Sequence, residues 1–361
     1  FYGAAGHGPS QRVAGGTQDN GTLTMTAPSR SALLTFGGDG GFTAIDPSDP
    51  RYIYGEYINL QIHRSSNSGA SAQYIYAGIA DAGTAANFIA PFILDPTTPT
   101  RMYAGGRSLW RSDNVRTGVV SWRRINGPLS DNISAIAAAG NVIGRVWIGL
   151  NNGQVFRTQN ATASAPAWTA VDDNGTTNPL PNRYITRIAI DPFDPATVYV
   201  ATGGFTGDNL WKTTDDGLTW ADATGSGPTG LPSAPIYGVC LHPFIRNWIY
   251  VSTEVGIFAS TNGGRTWSTT NEGPGNVSTD EVVFMHNSST LLAATHGRGL
   301  WTINLPRCRA DFNADGEVTF DDTQIFVAYF NAGRTEADLN DDDEFTFDDI
   351  QLYIAAFNLG C

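Results

Sequence analysis

The chain has 361 residues, of which 41% are hydrophobic and 41 are glycine, a composition typical of a globular protein rich in turns. Its formal net charge is −13, which argues against nucleic-acid binding because phosphates attract basic surfaces, and no apolar run is long enough to span a membrane. Residues 308–361 hold 13 Asp or Glu against two Arg, so this segment carries −11 and residues 1–307 carry the remaining −2.

Residues 1–305 consist of short apolar runs, rich in β-branched and aromatic residues, that alternate with turns, which predicts an all-β region. Five similar turn segments recur there, each directly after an apolar run, and they begin at Ser65, Ser112, Thr158, Thr213 and Ser260. In four of the five a tryptophan follows, namely Trp122, Trp168, Trp220 and Trp267. A repeat of roughly 47 residues with about four strands per copy predicts a β-propeller. The repeats predict seven blades, which begin near Phe1, Gly41, Phe88, Ile133, Tyr184, Pro235 and Thr279.

The two most regular turn segments, Thr213–Trp220 and Ser260–Trp267, follow the pattern Ser/Thr-x-Asp/Asn-x-Gly-x-x-Trp. We expect the Asp or Asn side chain to accept hydrogen bonds from backbone N–H groups in the turn between the third and fourth strands. The glycine is expected to take a positive φ, and the tryptophan to pack between blades. These acidic residues therefore mark the fold and are not catalytic candidates.

The last blade shows only three apolar runs, at residues 281–284, 291–294 and 299–302. Because residue 1 already lies in a first strand, a fourth strand for this blade has to come from elsewhere or be absent. We expect a segment upstream of Phe1 to supply it, with a shortened blade or a neighbouring protomer as the alternatives. An open apolar edge of this kind is a pairing site for another chain.

Residues 1–305 resemble the secreted neuraminidase-repeat, or Asp-box, β-propellers that are related to the xyloglucanase and sortilin families. The resemblance rests on the turn segments described above and on three glycine-rich stretches, residues 15–21, 37–41 and 294–301. It implies a secreted propeller. It leaves the activity unassigned, because propellers host many unrelated functions.

No pair of residues has the spacing of a known catalytic site. Inverting glycoside hydrolysis needs two carboxylates about 6.5–9.5 Å apart, and the weak candidates are Asp19 and Asp39 in glycine-rich loops of the first blade. Such residues more often form turns. Other charged residues near strand ends are Glu56, His63, Glu254 and His296. A sialidase is not indicated because the arginines are scattered singly, and the sequence has no Ser-His-Asp order, phosphate loop or zinc pattern.

The acidic C-terminal segment contains a twelve-residue pattern typical of a calcium loop, and the pattern repeats 27 residues later. The predicted ligands of the first loop are Asp311, Asn313, Asp315, Glu317 (through its backbone), Thr319 and Asp322. Those of the second loop are Asp338, Asn340, Asp342, Glu344, Thr346 and Asp349. An apolar helical segment follows each loop. The sequence predicts two calcium ions, the second bound more weakly because Asp343 stands where the first loop has Gly316.

Residues 308–361 resemble type I dockerins, most closely the cysteine-flanked form found at the ends of secreted proteins in some environmental bacteria. The resemblance implies an EF-hand-like module that calcium holds folded and that docks to a protein partner. Dockerins that bind cohesins typically carry Ser/Thr at loop positions ten and eleven, where this chain has Phe320-Asp321 and Phe347-Asp348. This departure argues against cohesin recognition of the usual kind.

Cys308 and Cys361 bracket the two loop-helix units. If the units dock face to face, their ends meet, so we predict a disulfide between these cysteines. A disulfide implies an oxidising, extracellular compartment.

We therefore predict a secreted or cell-surface chain with an all-β, seven-bladed propeller at residues 1–305 and a small α-helical calcium module at residues 308–361. The predicted role is non-catalytic recognition or structure outside the cell, with tethering or assembly through the module. One alternative is a xyloglucanase-like glycoside hydrolase, or a fragment of one, that degrades polysaccharide. Another is a subunit of a self-assembling surface layer or filament. The expected partners are a polysaccharide and a protein or neighbouring protomer at the module or the open blade edge.

Overall fold

Twenty-six strands, described between Gly3 and Asn304, pair into seven antiparallel sheets that follow one another along the chain. The structure is a computed structural model, and it describes residues 1–26, 29, 31–172, 180–275, 277–305, 310–313, 317–334, 337–339 and 344–359, the last without the Leu359 side chain. Each sheet is one blade, numbered 1 to 7 in chain order. The prediction of an all-β, seven-bladed propeller is confirmed.

The strands take the same four positions in successive blades, from the innermost outward. The first strands are β1 Gly3–His7, β5 Thr43–Ile45, β9 Phe92–Asp95, β13 Ile133–Ala138, β17 Ile185–Ile190, β21 Ile236–Leu241 and β24 Thr279–Phe284. The second strands are β2 Arg12–Thr17, β6 Ile53–Glu56, β10 Thr98–Gly105, β14 Val146–Leu150, β18 Val198–Thr202, β22 Ile249–Thr253 and β25 Thr290–Thr295. The third strands are β3 Gly21–Thr26, β7 Ile62–Ser65, β11 Leu109–Ser112, β15 Val155–Thr158, β19 Leu210–Thr213, β23 Gly256–Ser260 and β26 Gly299–Asn304. The fourth strands are β4 Leu33–Phe36, β8 Gln73–Tyr74, β12 Arg123–Asn126, β16 Thr169–Ala170 and β20 Ala221–Asp222.

The ring closes between the last blade and the first. First strands of neighbouring blades lie side by side, and β24 lies against β1. The amide of Gly8 donates to the carbonyl of His286 (2.8 Å), and the amide of His286 donates to that of Gly6 (2.8 Å). Closure thus uses backbone hydrogen bonds between the inner strands.

The recurrent turns lie between the third and fourth strand positions, as predicted. In blade 5, Asp215 Oδ1 accepts a hydrogen bond from the Thr219 amide (2.9 Å) and another from Thr213 Oγ1 (2.7 Å). Asn262 repeats the contact with the Thr266 amide in blade 6 (3.0 Å). Gly217 in the first of these turns has a φ of 85°, which glycine adopts without strain. The acidic and amide side chains of these two turns are therefore occupied in forming them.

The tryptophan that follows each turn ties its blade to the preceding one. In four blades its Nε1 donates to a carbonyl in the outer strand of the preceding blade or directly after that strand. The four bonds are Trp122 to Ile75 (2.7 Å), Trp168 to Ile125 (3.1 Å), Trp220 to Val171 (2.8 Å) and Trp267 to Ala223 (3.0 Å). Because the donor is satisfied, the indole can be buried at the junction without an unpaired polar atom.

The junctions between blades hold the core, and they are filled unequally. The junction of blades 5 and 6 contains ten buried apolar residues, among them Trp267 and Phe258. Among the described residues, the buried apolar members of the junction of blades 6 and 7 are Tyr250, Val282 and Leu291. Among the described residues, the junction of blades 6 and 7 therefore holds the fewest buried apolar side chains.

Blades 6 and 7 have three strands each within the described residues. For blade 6 this corrects the expectation of about four strands per repeat. The amides of Ser268 and Glu272 still donate to Ala259 and Ile257 of β23 (both 2.8 Å), so an irregular segment takes the outer position. For blade 7 three strands were expected, and β26 pairs with β25 alone among the described strands.

Two helices are described after the propeller, α1 Phe320–Asn331 and α2 Phe347–Leu359. They meet through Phe326 and Tyr353, whose rings stack at 4.1 Å with an angle of 2° between their planes. These two residues occupy the same position in the two sequence repeats, so the repeats face each other about an approximate twofold axis. No helix within the described residues is long and apolar enough to cross a membrane.

Candidate functional site

One face of the ring collects the beginnings of all seven first strands, because every blade repeats the same up-and-down order. The recurrent turns lie on the opposite face. A cavity of about 570 Å³ opens where the first strands begin, and we call it the axial mouth. Its lining comes from around the whole ring and includes Tyr2, Phe42, Ile89, Ser134, Tyr184, Arg187, Tyr237, Asp280 and His296. Its size falls within the range of about 300–1,000 Å³ that is usual for small-molecule sites.

An ion pair crosses the ring at the mouth. Arg187 Nη2 of blade 5 lies 2.8 Å from Glu281 Oε1 of blade 7, and the guanidinium stands 5.4 Å from the centre of the Phe42 ring. Burial raises the pKa of Glu281, and the charge of Arg187 opposes that rise. The pair thus joins three blades and leaves the arginine already matched to a carboxylate.

A tyrosine and a glutamate form a second contact at the mouth. Tyr237 Oη donates to Glu254 Oε2 at 2.6 Å, and Ser278 Oγ donates to the same oxygen at 3.3 Å. Burial, followed by the hydrogen bond to Glu254, raises the pKa of Tyr237. The phenol therefore keeps its proton at neutral pH and acts as a hydrogen-bond donor.

Asp280 and His296 form the third contact. His296 Nδ1 lies 3.4 Å from Asp280 Oδ2, with the imidazole largely exposed. Burial raises the pKa of Asp280, His296 opposes the rise, and Glu254 adds to it. The contact places a carboxyl of raised pKa beside an exposed imidazole at the mouth.

The structure brings the two weak catalytic candidates, Asp19 and Asp39, together at the edge of the mouth. Asp39 Oδ1 accepts the amide of Asp19 at 2.8 Å, and Asp19 has a positive φ of 64°. Burial, and then the carboxylates of Asp280, Asp39 and Asp19, raise the pKa of Tyr2. The observed contact is one that forms a turn, and a catalytic role for either residue stays a prediction.

Two further residues singled out from the sequence are buried inside the blades. Glu56 accepts the amides of Leu60 (2.8 Å) and Ala90 (2.9 Å), and burial raises its pKa to about 8. His63 contacts Thr22 Oγ1 at 3.1 Å, and burial lowers its pKa to about 3. Both side chains support local structure, since neither lines the mouth.

Sequence reasoning missed Tyr2, Tyr184, Arg187, Tyr237, Asp280 and Glu281 as parts of one site. The sequence contained one pattern that could have indicated part of the site. In three blades an aromatic residue directly precedes the first strand, at Tyr2, Phe42 and Tyr184. No sequence pattern indicates the contact of Arg187 with Glu281. It depends on two non-neighbouring blades meeting at the ring axis.

In the described parts of the two predicted calcium loops, the aspartates at the first and last positions are buried. In the first loop Asp322 is fully buried, and its two oxygens accept the amides of Asn313 (3.0 Å) and Thr319 (2.8 Å). In the second loop Asp349 is fully buried and accepts the amides of Leu339 (2.7 Å) and Thr346 (2.8 Å). The last acidic residue of each loop thus performs the same structural task.

The donor set fits a hard cation such as calcium. Asp311, Asp322, Asp338 and Asp349 are each at most 9% exposed, and the module's described residues contain one basic side chain, Arg334. Buried carboxylates need compensating positive charge, which calcium would supply to oxygen ligands. Within the described residues, no three acidic, His or Cys side chains lie close enough together to hold a metal ion. Asp315, Gly316, Asn340, Asp342, Asp343, Cys308 and Cys361 lie outside the described residues.

The two residues at loop position ten are exposed. Phe320 and Phe347, the first residues of α1 and α2, are 68% and 65% exposed. They stand where dockerins that bind cohesins typically carry Ser/Thr. The structure therefore presents an aromatic surface at these positions, duplicated by the repeat.

Comparison with known proteins places the fold. No protein-family model matches the chain, and no curated protein matches it. A chain in the crystal structure of a mitotic checkpoint complex superposes with a TM-score of 0.60 and 12% identity, covering 83% of this chain and 85% of that one. An ancestral GH74 enzyme superposes with a TM-score of 0.52 and 18% identity over 75% of this chain. The present chain spans only 37% of that enzyme's length. At these identities the likeness defines the fold class, a seven-bladed β-propeller.

Proposed function

We propose that the chain is an extracellular recognition propeller that binds a polysaccharide at the axial mouth and is tethered through its C-terminal calcium module. The observation that carries the proposal is the composition of the mouth. Tyr2, Phe42, Tyr184 and Tyr237 line one cavity of about 570 Å³. Aromatic rings offer flat apolar faces with a polar edge, which suit the C–H faces and hydroxyls of a sugar.

The charged groups of the mouth support binding over catalysis. Arg187 is paired with Glu281, and Glu254 accepts the hydroxyl of Tyr237. Asp39 holds the amide of Asp19. Groups that satisfy one another in this way shape a surface and leave fewer carboxylates available to act on a glycosidic bond.

The test is binding to xyloglucan and other plant-type polysaccharides, measured by calorimetry with the 361-residue chain. Tyr184→Ala should weaken binding about tenfold, the loss of one aromatic contact worth roughly 1.4 kcal/mol. Leu218→Ala is the matched control, because Leu218 is an exposed apolar residue of the same blade on the opposite face. Equal behaviour of the two variants, or no saturable binding by the unaltered chain, would contradict the proposal.

A glycoside hydrolase acting on plant-type polysaccharide is the second candidate. The observation that favours it is the raised pKa of Asp280 close to Glu254 at the mouth. The fold shared with an ancestral GH74 enzyme agrees with it. Release of reducing ends from xyloglucan, lost in both Asp280→Asn and Glu254→Gln, would replace the non-catalytic proposal with this one.

The turn segments support kinship with Asp-box propellers, and the acidic repeats support a dockerin-like module with two calcium ions. On this proposal Cys308 and Cys361 form a disulfide outside the cell. Calcium titration tests the module, with Asp322→Asn expected to remove one site. Asp321→Asn is the control, since Asp321 is the exposed neighbour of the buried ligand. If both variants bind as the unaltered chain does, the ligand assignment is wrong.

A further inference from the structure

An apolar groove runs along the outer edge of the junction between blades 6 and 7. It has a volume of about 430 Å³, and its walls include Tyr250 and Ile257 of blade 6 with Leu291, Trp301 and Ile303 of blade 7. Trp301 and Ile303 are 50% and 54% exposed. Both lie on β26, which has no partner on its outer side among the described strands.

The groove continues the packed interface between blades 5 and 6 to the next junction. Equivalent strands place Tyr199 of blade 5 where Tyr250 stands in blade 6, and Phe258 of blade 6 where Trp301 stands in blade 7. At the filled junction Trp267 packs among these residues and is 3% exposed. At the next junction the equivalent walls are present, and Trp248 and Trp301 belong to them. Among the described residues, no indole occupies the place that Trp267 has at the filled junction.

The backbone carbonyl that accepts the indole N–H at the filled junction also has an equivalent at the next junction. At the filled junction the Trp267 indole donates to the carbonyl of Ala223, whose amide donates to Leu210 of β19 (2.9 Å). At the next junction Glu272 occupies the position of Ala223, because its amide donates to the equivalent residue Ile257 of β23 (2.8 Å). Glu272 also lines the groove. An acceptor for an indole N–H is therefore present at the expected place.

We propose that this groove binds an extended segment of a partner polypeptide that carries a tryptophan and pairs with β26 as the fourth strand of blade 7. The edge of β26 provides backbone donors and acceptors for strand addition. The groove provides the apolar pocket for the indole. Glu272, the charged residue of the groove wall, disfavours an acidic segment at that end.

This chain supplies the probe for the test. A labelled peptide that copies residues 260–271, which include Trp267 and Arg265 and no acidic residue, should bind the 361-residue protein saturably at one site. Fluorescence anisotropy measures the affinity. The same peptide with Trp267→Ala should bind about tenfold more weakly or worse, because it lacks the indole. Absence of saturable binding, or equal binding of the two peptides, would overturn the proposal.

A pair of protein variants locates the binding. Ile303→Glu places a charge in the groove at an exposed position and should weaken binding of the tryptophan peptide about tenfold. Ile143→Glu is the matched control, because Ile143 is 65% exposed in blade 4, away from the groove. Far-ultraviolet circular dichroism checks that both variants are folded. If Ile143→Glu is as impaired as Ile303→Glu, the groove is not the site.

Sedimentation of the unaltered protein distinguishes a second copy from a different partner. We expect no association that depends on Ile303 over the concentrations used for the peptide. Self-association that Ile303→Glu abolishes would mean that a second copy fills the groove, and the proposal of a separate partner would fall.

Discussion

Buried acidic residues have different surroundings in the propeller and in the C-terminal helical pair. In the propeller, Asp46 pairs with Arg116 (2.6 Å), Asp95 with Arg101 (3.0 Å) and Glu281 with Arg187 (2.8 Å). In the described part of the module, four buried aspartates share a region with the single arginine Arg334. These three acids of the propeller thus have arginine partners within the propeller, whereas the described part of the module offers one arginine to four buried aspartates. This difference favours the predicted binding of calcium by the module.

Removal of the predicted calcium ions should therefore produce the largest difference in stability between the module and the propeller. We expect an excess of chelator to unfold the helical pair and leave the propeller intact, because metal binding supplies folding free energy to small modules. Limited proteolysis followed by mass spectrometry should show cleavage between residues 310 and 359 only. Unchanged resistance in that segment would contradict the calcium assignment, and cleavage throughout the chain would contradict the separation.

Trp267→Ala is expected to have a large effect on the stability of the propeller. The indole is 3% exposed and donates to Ala223, so truncation leaves a cavity and an unpaired carbonyl. Loss of a buried aromatic of this size costs about 3–5 kcal/mol of the free energy of unfolding. Urea unfolding followed by intrinsic fluorescence measures it. Trp122→Ala, at a less buried member of the same series, should cost less.

The prediction for Trp267→Ala rests on the repeated tryptophans, which are visible in the sequence. The spacing of the turn segments and their tryptophans predicted seven blades and the packing of these side chains between them, because each contact joins one repeat to the next. The site at the mouth was not predictable in this way. Arg187 and Glu281 belong to non-neighbouring blades, so their contact depends on how the ring closes. The outer position of blade 6 was also mispredicted, because an irregular segment at Ser268–Glu272 pairs in place of a regular strand.

A rise in pH from 4.5 to about 8 should weaken the propeller through Glu56, and the effect should not extend to the module. Burial raises the pKa of Glu56 from 4.5 to about 8. Over this interval the folded chain holds a proton that the unfolded chain has released, so the free energy of unfolding falls as the pH rises from 4.5 to about 8. Urea unfolding across this range should show the fall in the unaltered chain and a smaller one in Glu56→Gln. Glu272→Gln, at an exposed glutamate, is the control and should keep the full slope.

Trp301→Ala should change the free energy of unfolding least. It allows an open and a filled junction of the propeller to be compared. Trp301 stands in blade 7 where Phe258 stands in blade 6, yet it is 50% exposed because no described segment covers it. Truncation of an exposed side chain changes the free energy of unfolding by about 0.5 kcal/mol or less. Phe258→Ala, at the equivalent buried position, should cost about 3–5 kcal/mol. If the two substitutions cost the same in urea unfolding, a further segment covers the junction of blades 6 and 7 in solution, and the groove is not open to a partner.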